Sequence, residues 1–232
     1  AAPPSPAHVV DRRRVELPCS KSRVWKLEAR QLLYHQLSPA LTGREAVRTV
    51  IVAKLVRELT HVFARGDVVT GHVDEVRQIL PALAPLAKAP LPAWFCYGNH
   101  DYFGGDPEKL RASLASAGIE ALRNDTVRLQ HKDGNFVLGG IDDLILGNPD
   151  WDKLTTGFGV PHLLMAHNPD HFYEAQAFGV ALTLSGHTHG GQIRFPKGPP
   201  LIRQSRYCLD EAGYAFRASL LMVSRGLGCV LL

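Results

Sequence analysis

Cysteine is scarce: Cys19, Cys96, Cys208 and Cys229 are the only four in 232 residues. They lie far apart and form no Cys-x-x-Cys pair, which argues against a disulfide framework and a cysteine zinc site and points to a reducing compartment. No stretch approaches the roughly 18 apolar residues that a membrane-spanning helix needs, so the sequence carries no span of its own. The opening Ala1-Ala2-Pro3-Pro4-Ser5-Pro6 lacks the apolar core of a secretory signal and reads as a tail or linker. A strong excess of one charge is also missing. The formal charge is +4, and Arg12-Arg13-Arg14 reads as a solvated tail, so nucleic acid is not an expected partner. The mild basic balance favours anionic substrates or a lipid surface. Ser185 has no Gly-x-Ser-x-Gly elbow around it, which argues against a serine nucleophile.

What is present suits a packed domain. With 45% hydrophobic and 21% charged residues the chain can bury a core, and no internal repeat divides it. Residues 1–22 read as an N-terminal tail or linker and 23–232 as one domain, shortened at its C-terminal end. Thr42 caps a predicted helix over Gly43 to Leu59, in which Val47, Ile51, Leu55 and Leu59 form one buried stripe. A strand then leads to Asp67, and a helix over Val73 to Lys88 is interrupted by Pro81 and Pro85. Further predicted elements are a strand ending at Asn99, a helix from Asp106-Pro107 to about Gly118, and a hairpin pairing Thr126 to His131 with Phe136 to Gly139. Next come a strand over Pro161 to Ala166, a helix over Asp170 to Phe178, and strands over Val180 to Ser185 and Ser219 to Ser224. Alternation of this kind gives an α/β fold.

Four polar clusters sit at the ends of the predicted strands. Leu184-Ser185-Gly186-His187-Thr188-His189-Gly190-Gly191 sends two imidazoles into a glycine-rich loop, and alternate side chains of an extended segment would share one face. Tyr97-Gly98-Asn99-His100-Asp101 follows the apolar Trp94-Phe95-Cys96; Ala166-His167-Asn168-Pro169-Asp170 follows another apolar run; Val62-Phe63-Ala64 delivers Arg65-Gly66-Asp67. The carboxyl ends of neighbouring strands in an α/β sheet open on one crevice, so the four clusters are expected to meet.

The order Gly-Asp, Gly-Asn-His-Asp, His and Gly-His-Thr-His resembles the calcineurin-like metallophosphoesterases over roughly Leu37 to Gly228. Gly190-Gly191-Gln192, His167-Asn168-Pro169-Asp170 and Val223-Ser224-Arg225-Gly226 are similar to a branch holding bacterial membrane-associated phosphodiesterases and UDP-diacylglucosamine hydrolases. The resemblance implies two packed mixed β-sheets flanked by helices, a four-layer sandwich. It also implies a phosphodiesterase or phosphomonoesterase that uses a metal-bound hydroxide at a dinuclear metal centre. Asp67 would bridge two ions, Asn99, His167 and His187 would complete one shell, and His189 would serve the other ion. Oxygen and imidazole donors suit manganese, iron or zinc. His100 would be the general acid, with Asp101 either orienting its ring or capping a turn. The implied partner is a phosphorylated small molecule or a lipid-linked substrate met in the cytoplasm or at a membrane surface.

One motif departs from the family. Its Asp-x-His is expected about 30 residues before Asp67, where this chain reads Leu33-Tyr34-His35-Gln36-Leu37. An alternative therefore stands beside the active enzyme: a catalytically weakened homologue that binds one metal tightly, or a phosphorylated ligand. Zinc hydrolases of the metallo-β-lactamase fold also use His-x-His, but their pattern continues into Asp-His, whereas Gly190-Gly191-Gln192 follows here. Asp142-Asp143 reads as a turn rather than a paired-carboxylate site, and His8, His61, His72, His131, His162 and His171 read as surface or packed histidines.

Overall fold

The computed structural model describes residues 63–65, 74, 76–83, 93–103, 105–131, 134–193 and 200–225. The expected tail at 1–22, the stretch Tyr34-His35-Gln36, the helix over Gly43 to Leu59 and Asp67 lie outside the described residues.

A three-stranded parallel sheet holds β1 (Phe63–Arg65), β2 (Ala93–Cys96) and β3 (Ile119–Leu122) in that order. The connecting helices are α1 (Val76–Leu83), α2 (Asn99–Phe103) and α3 (Pro107–Ser116). A second sheet contains β4 (Asp125–His131), β5 (Gly134–Gly140), β6 (Leu163–Met165), β7 (Leu182–Ser185), β8 (Ala212–Phe216) and β9 (Ser219–Val223), with α4 (Trp151–Thr156) and α5 (Phe172–Phe178) between strands. Its order is β4-β5-β6-β7-β9-β8; the four central strands run parallel, and β4 and β8 lie antiparallel at the edges.

The alternation of side chains along β2 builds the layers. Trp94 and Cys96 turn inward and join Leu122, Phe136, Leu138, Leu163, Met165, Leu182 and Leu184 in a core between the sheets. Ala93, Phe95 and Tyr97 turn outward and pack under Val76 of α1 and Leu110 and Leu114 of α3. On the far side, Ile141, Leu164 and Ala166 lie under Leu154 of α4 and Ala175 of α5. The result is the expected four-layer sandwich. Truncating a fully buried leucine such as Leu138 or Leu163 costs about 2–5 kcal/mol in cores of this kind. At Gly140 the second sheet packs tightly on the first, since a Cβ there would stand 2.4 Å from Leu122 Cβ.

Local sequence explains the element ends. Asp106 caps α3 by accepting from Lys109 N–H at 3.0 Å, with Pro107 in the first turn, and Gly118 follows the helix at φ 76°. Asp150 caps α4 in the same way. The expected hairpin, strands β6, β7 and β9, and the helices after Asp106 and Asp170 are all present. β2 stops at Cys96 rather than Asn99, because Gly98 turns the chain directly into α2. β3, α4 and β8 went unread, each being too short to show a period. Cys208 is disulfide-bonded, so cysteine usage gives no support for a reducing compartment. Among the described residues no helix is long and apolar enough to cross a membrane.

Candidate metal centre

β6 and β7 run parallel with Met165 opposite Leu184, so the residues after each strand leave at the same rim. Gly186 N–H donates to His167 carbonyl at 2.9 Å, which brings the two loops together. The His167 and His187 rings meet edge to face with centroids 5.1 Å apart, and His167 Nε2 lies 3.2 Å from His187 Nδ1. That separation suits a hydrogen bond with one nitrogen protonated. It also suits two lone pairs on one ion, since nitrogens each about 2.1 Å from a metal stand about 3.0 Å apart at a right angle and about 3.4 Å apart at the tetrahedral angle.

The His187-Thr188-His189 stretch is not extended as expected. His187 has φ 66° and His189 φ 49°, both left-handed, with Thr188 right-handed between them. The alternation argument for a shared face therefore fails, and the convergence of His187 on His167 comes from the turn and the neighbouring strand. Left-handed backbone costs a non-glycine residue about 1 kcal/mol or more, and such strain collects at functional sites. Glycine is required next: Gly191 has φ 77°, and a Cβ there would lie 2.0 Å from Pro200 Cβ.

Asn99, the first residue of α2, is at the tip of β2. Its Oδ1 is buried with no hydrogen-bond partner among the described residues. A buried amide oxygen without a donor is costly unless something electropositive faces it. An amide oxygen and imidazole nitrogens are, as chemical types, a donor set that fits a divalent transition metal. Among the described residues, no three His, Cys, Asp or Glu side chains form a metal-holding group; Asp67 lies outside them. His100 is half-buried and rests edge-on against Phe103, with ring centroids 5.4 Å apart. The Asp101 carboxylate is buried and accepts from Gly98 N–H at 2.8 Å, which is the turn-cap arrangement. His189 is half-buried on the loop beyond Thr188.

The turn expected at Asp142-Asp143 also gathers groups that no motif marks, Tyr102 and Arg123 among them. Asp142 is fully buried, and its carboxylate accepts from the Tyr102 hydroxyl of α2, from Arg123 Nε and Asn148 N–H at 2.9 Å each, and from Asp143 N–H at 2.9 Å. Burial raises its pKa, but those donors outweigh burial and hold it below the ordinary aspartate value. Asp143 accepts from Ile145 and Leu146 N–H, so the pair forms the turn that was expected. Burial and the bond to Asp142 push the Tyr102 phenol up, and burial raises Tyr97 to about 12, so neither ionises near neutral pH.

The calcineurin-like phosphoesterase profile matches residues 45–191, well over half of the chain. The chain belongs to the calcineurin-like phosphoesterase family. Members of this family use divalent metals. A Bacillus subtilis metallophosphoesterase, YkuE, is 30% identical over 191 residues, which covers 79% of this chain and 66% of the relative. The phosphodiesterase YaeI of Escherichia coli is 35% identical over 152 residues, 63% of this chain and 54% of YaeI. A transmembrane protein with a metallophosphoesterase domain from Danio rerio is 33% identical over 208 residues, 82% of this chain and 46% of the relative. This phosphoesterase-family chain thus spans about a third to two thirds of the length of the curated relatives it matches.

Proposed function

We propose that this chain is a metal-dependent phosphoester hydrolase, acting on a phosphodiester or phosphomonoester. The observation that carries the reading is the convergence of His167 Nε2 and His187 Nδ1 at 3.2 Å. Asn99 Oδ1, buried without a donor among the described residues, supports it. In this reading Asn99, His167 and His187 hold one ion, and Asp67 and His189 serve a second; manganese, iron or zinc suits that donor set. Divalent ions there would neutralise the ester's negative oxygens and acidify a water at neutral pH. His100, on the first turn of α2, gives its proton to the departing alkoxide oxygen, and Asp101 fixes the turn that presents it. The exposed apolar side chains Phe103, Ile193, Leu201 and Ile202 follow β2 and β7, and favour a lipid-linked ester met at a membrane surface over a freely soluble one.

The test is hydrolysis of an aryl phosphodiester by purified protein with and without Mn²⁺. Activity should rise with the metal and vanish in His187→Ala; an equally active His187→Ala variant overturns the assignment. A second reading rests on Tyr34-His35-Gln36 standing where the family has Asp-x-His. Each lost ligand weakens binding, so the chain then holds one metal tightly and turns over slowly. Two tightly held ions per chain, counted by metal analysis, would argue against it.

A further inference from the structure

The two imidazoles sit on separate loops, yet one segment is bonded to both loops. Asp170 lies on the turn just after His167 and is buried, with both carboxylate oxygens bonded to the segment 203–210. Ser205 Oγ donates to Oδ1 at 2.5 Å, and Arg206 N–H donates to Oδ2 at 2.9 Å. Ser205 Oγ in turn accepts from Tyr207 and Leu209 N–H at 3.2 and 3.0 Å, so one hydroxyl organises the bend of the segment. At its other end the Asp210 carbonyl accepts from Thr188 Oγ1 at 2.6 Å, and Thr188 is fully buried between His187 and His189. Arg203 Nη1 closes the segment on itself through Asp210 Oδ2 at 2.5 Å.

We infer that residues 203–210 form a strap whose anchors, Asp170 and Thr188, set the spacing between His167 and His187, so that Asp170, Ser205, Arg203 and Asp210 are positioning residues for metal binding. The inference rests on the metal reading above. Its physical need lies in the backbone: His187 and His189 are left-handed, and strained conformations persist only where surrounding bonds over-determine them. Thr188, held from beneath, is the point at which such bonds act on both histidines. Groups that orient ligands without touching the ion alter affinity by about 10- to 100-fold when removed.

The experiment is calorimetric titration of metal-stripped protein with Mn²⁺, well below the unfolding midpoint, for wild type, Asp170→Asn, Ser205→Ala and Arg203→Met. Asp106→Ala, which removes the α3 cap, serves as the control for stability loss alone. The strap variants should bind about 10-fold or more weakly, and their Co²⁺-loaded forms should show an altered visible absorption spectrum, while the control binds as wild type does. The double variant Asp170→Asn/Ser205→Ala should lose less affinity than the two single losses added together, because the two groups share one contact. If Asp170→Asn does not fold, Ser205→Ala and Arg203→Met, which each delete one polar group, decide the question. Strap variants that bind within twofold of wild type with an unchanged Co²⁺ spectrum overturn the strap alone. A wild-type chain that binds no ion overturns the metal reading and the strap with it.

Discussion

Replacing Asp142 by asparagine tests whether the turn after β5 ties α2 to the second sheet. The carboxylate takes four donors, two from backbone and two from side chains. Arg123 is 38% exposed and can turn to water, so its share is discounted. The Asn148 and Asp143 N–H groups cannot turn away, and one of them would face the new amide nitrogen. Weakening two charge-assisted bonds at about 1.5 kcal/mol each predicts a loss of about 3 kcal/mol. For a chain of this size that lowers the melting temperature by about 6–12 °C. The sign of the pH dependence follows from the depressed pKa of Asp142. Its contribution is fully present above the unfolded value of about 3.9 and is lost as pH falls through the folded value. The gap between wild type and Asp142→Asn should therefore be widest at neutral pH and narrow on acidification below about pH 4. Urea unfolding at several pH values, followed by tryptophan fluorescence, measures it. A loss under about 1 kcal/mol at pH 7, or a gap that does not change with pH, refutes the reasoning.

Gly140→Ala should destabilise by about 1–3 kcal/mol in the same assay, since its Cβ would stand 2.4 Å from Leu122 Cβ where the sheets meet. Gly191→Ala should abolish Mn²⁺ binding measured by calorimetry, because its φ of 77° and the nearby Pro200 leave no room for a methyl group beside His189. Adding Mn²⁺ at about 100 times its dissociation constant should stabilise the stripped protein by about 2.7 kcal/mol, and a chelator should reverse the shift in thermal unfolding. Asp106→Ala should cost about 1 kcal/mol in urea unfolding by removing the cap of α3, with Mn²⁺ affinity unchanged.

Where each element could be read depended on its length and its punctuation. Asp106-Pro107 announced α3, and the hairpin was legible because β4 and β5 are long enough to alternate and flank a short turn. α2 was missed because five residues make barely one turn, and its polar sequence Asn99-His100-Asp101 reads as loop. β3 was missed because only its parallel pairing with β2 makes those four residues a strand.

The chain's order of residues determined which groups carry chemistry: an amide and imidazoles, each placed just past an apolar run, were visible before any folding was considered. It also determined that the layers would be α/β, since burial of alternating apolar runs leaves few other arrangements. Tertiary structure alone decided that His167 and His187 face one another across 3.2 Å, because that distance depends on the parallel pairing of β6 with β7 and on a left-handed backbone at His187. It alone decided that Asp142, Asp170 and Ser205 hold the rim in place. Hydrogen bonds between residues far apart in sequence leave no local pattern, so no periodicity or motif could have announced them.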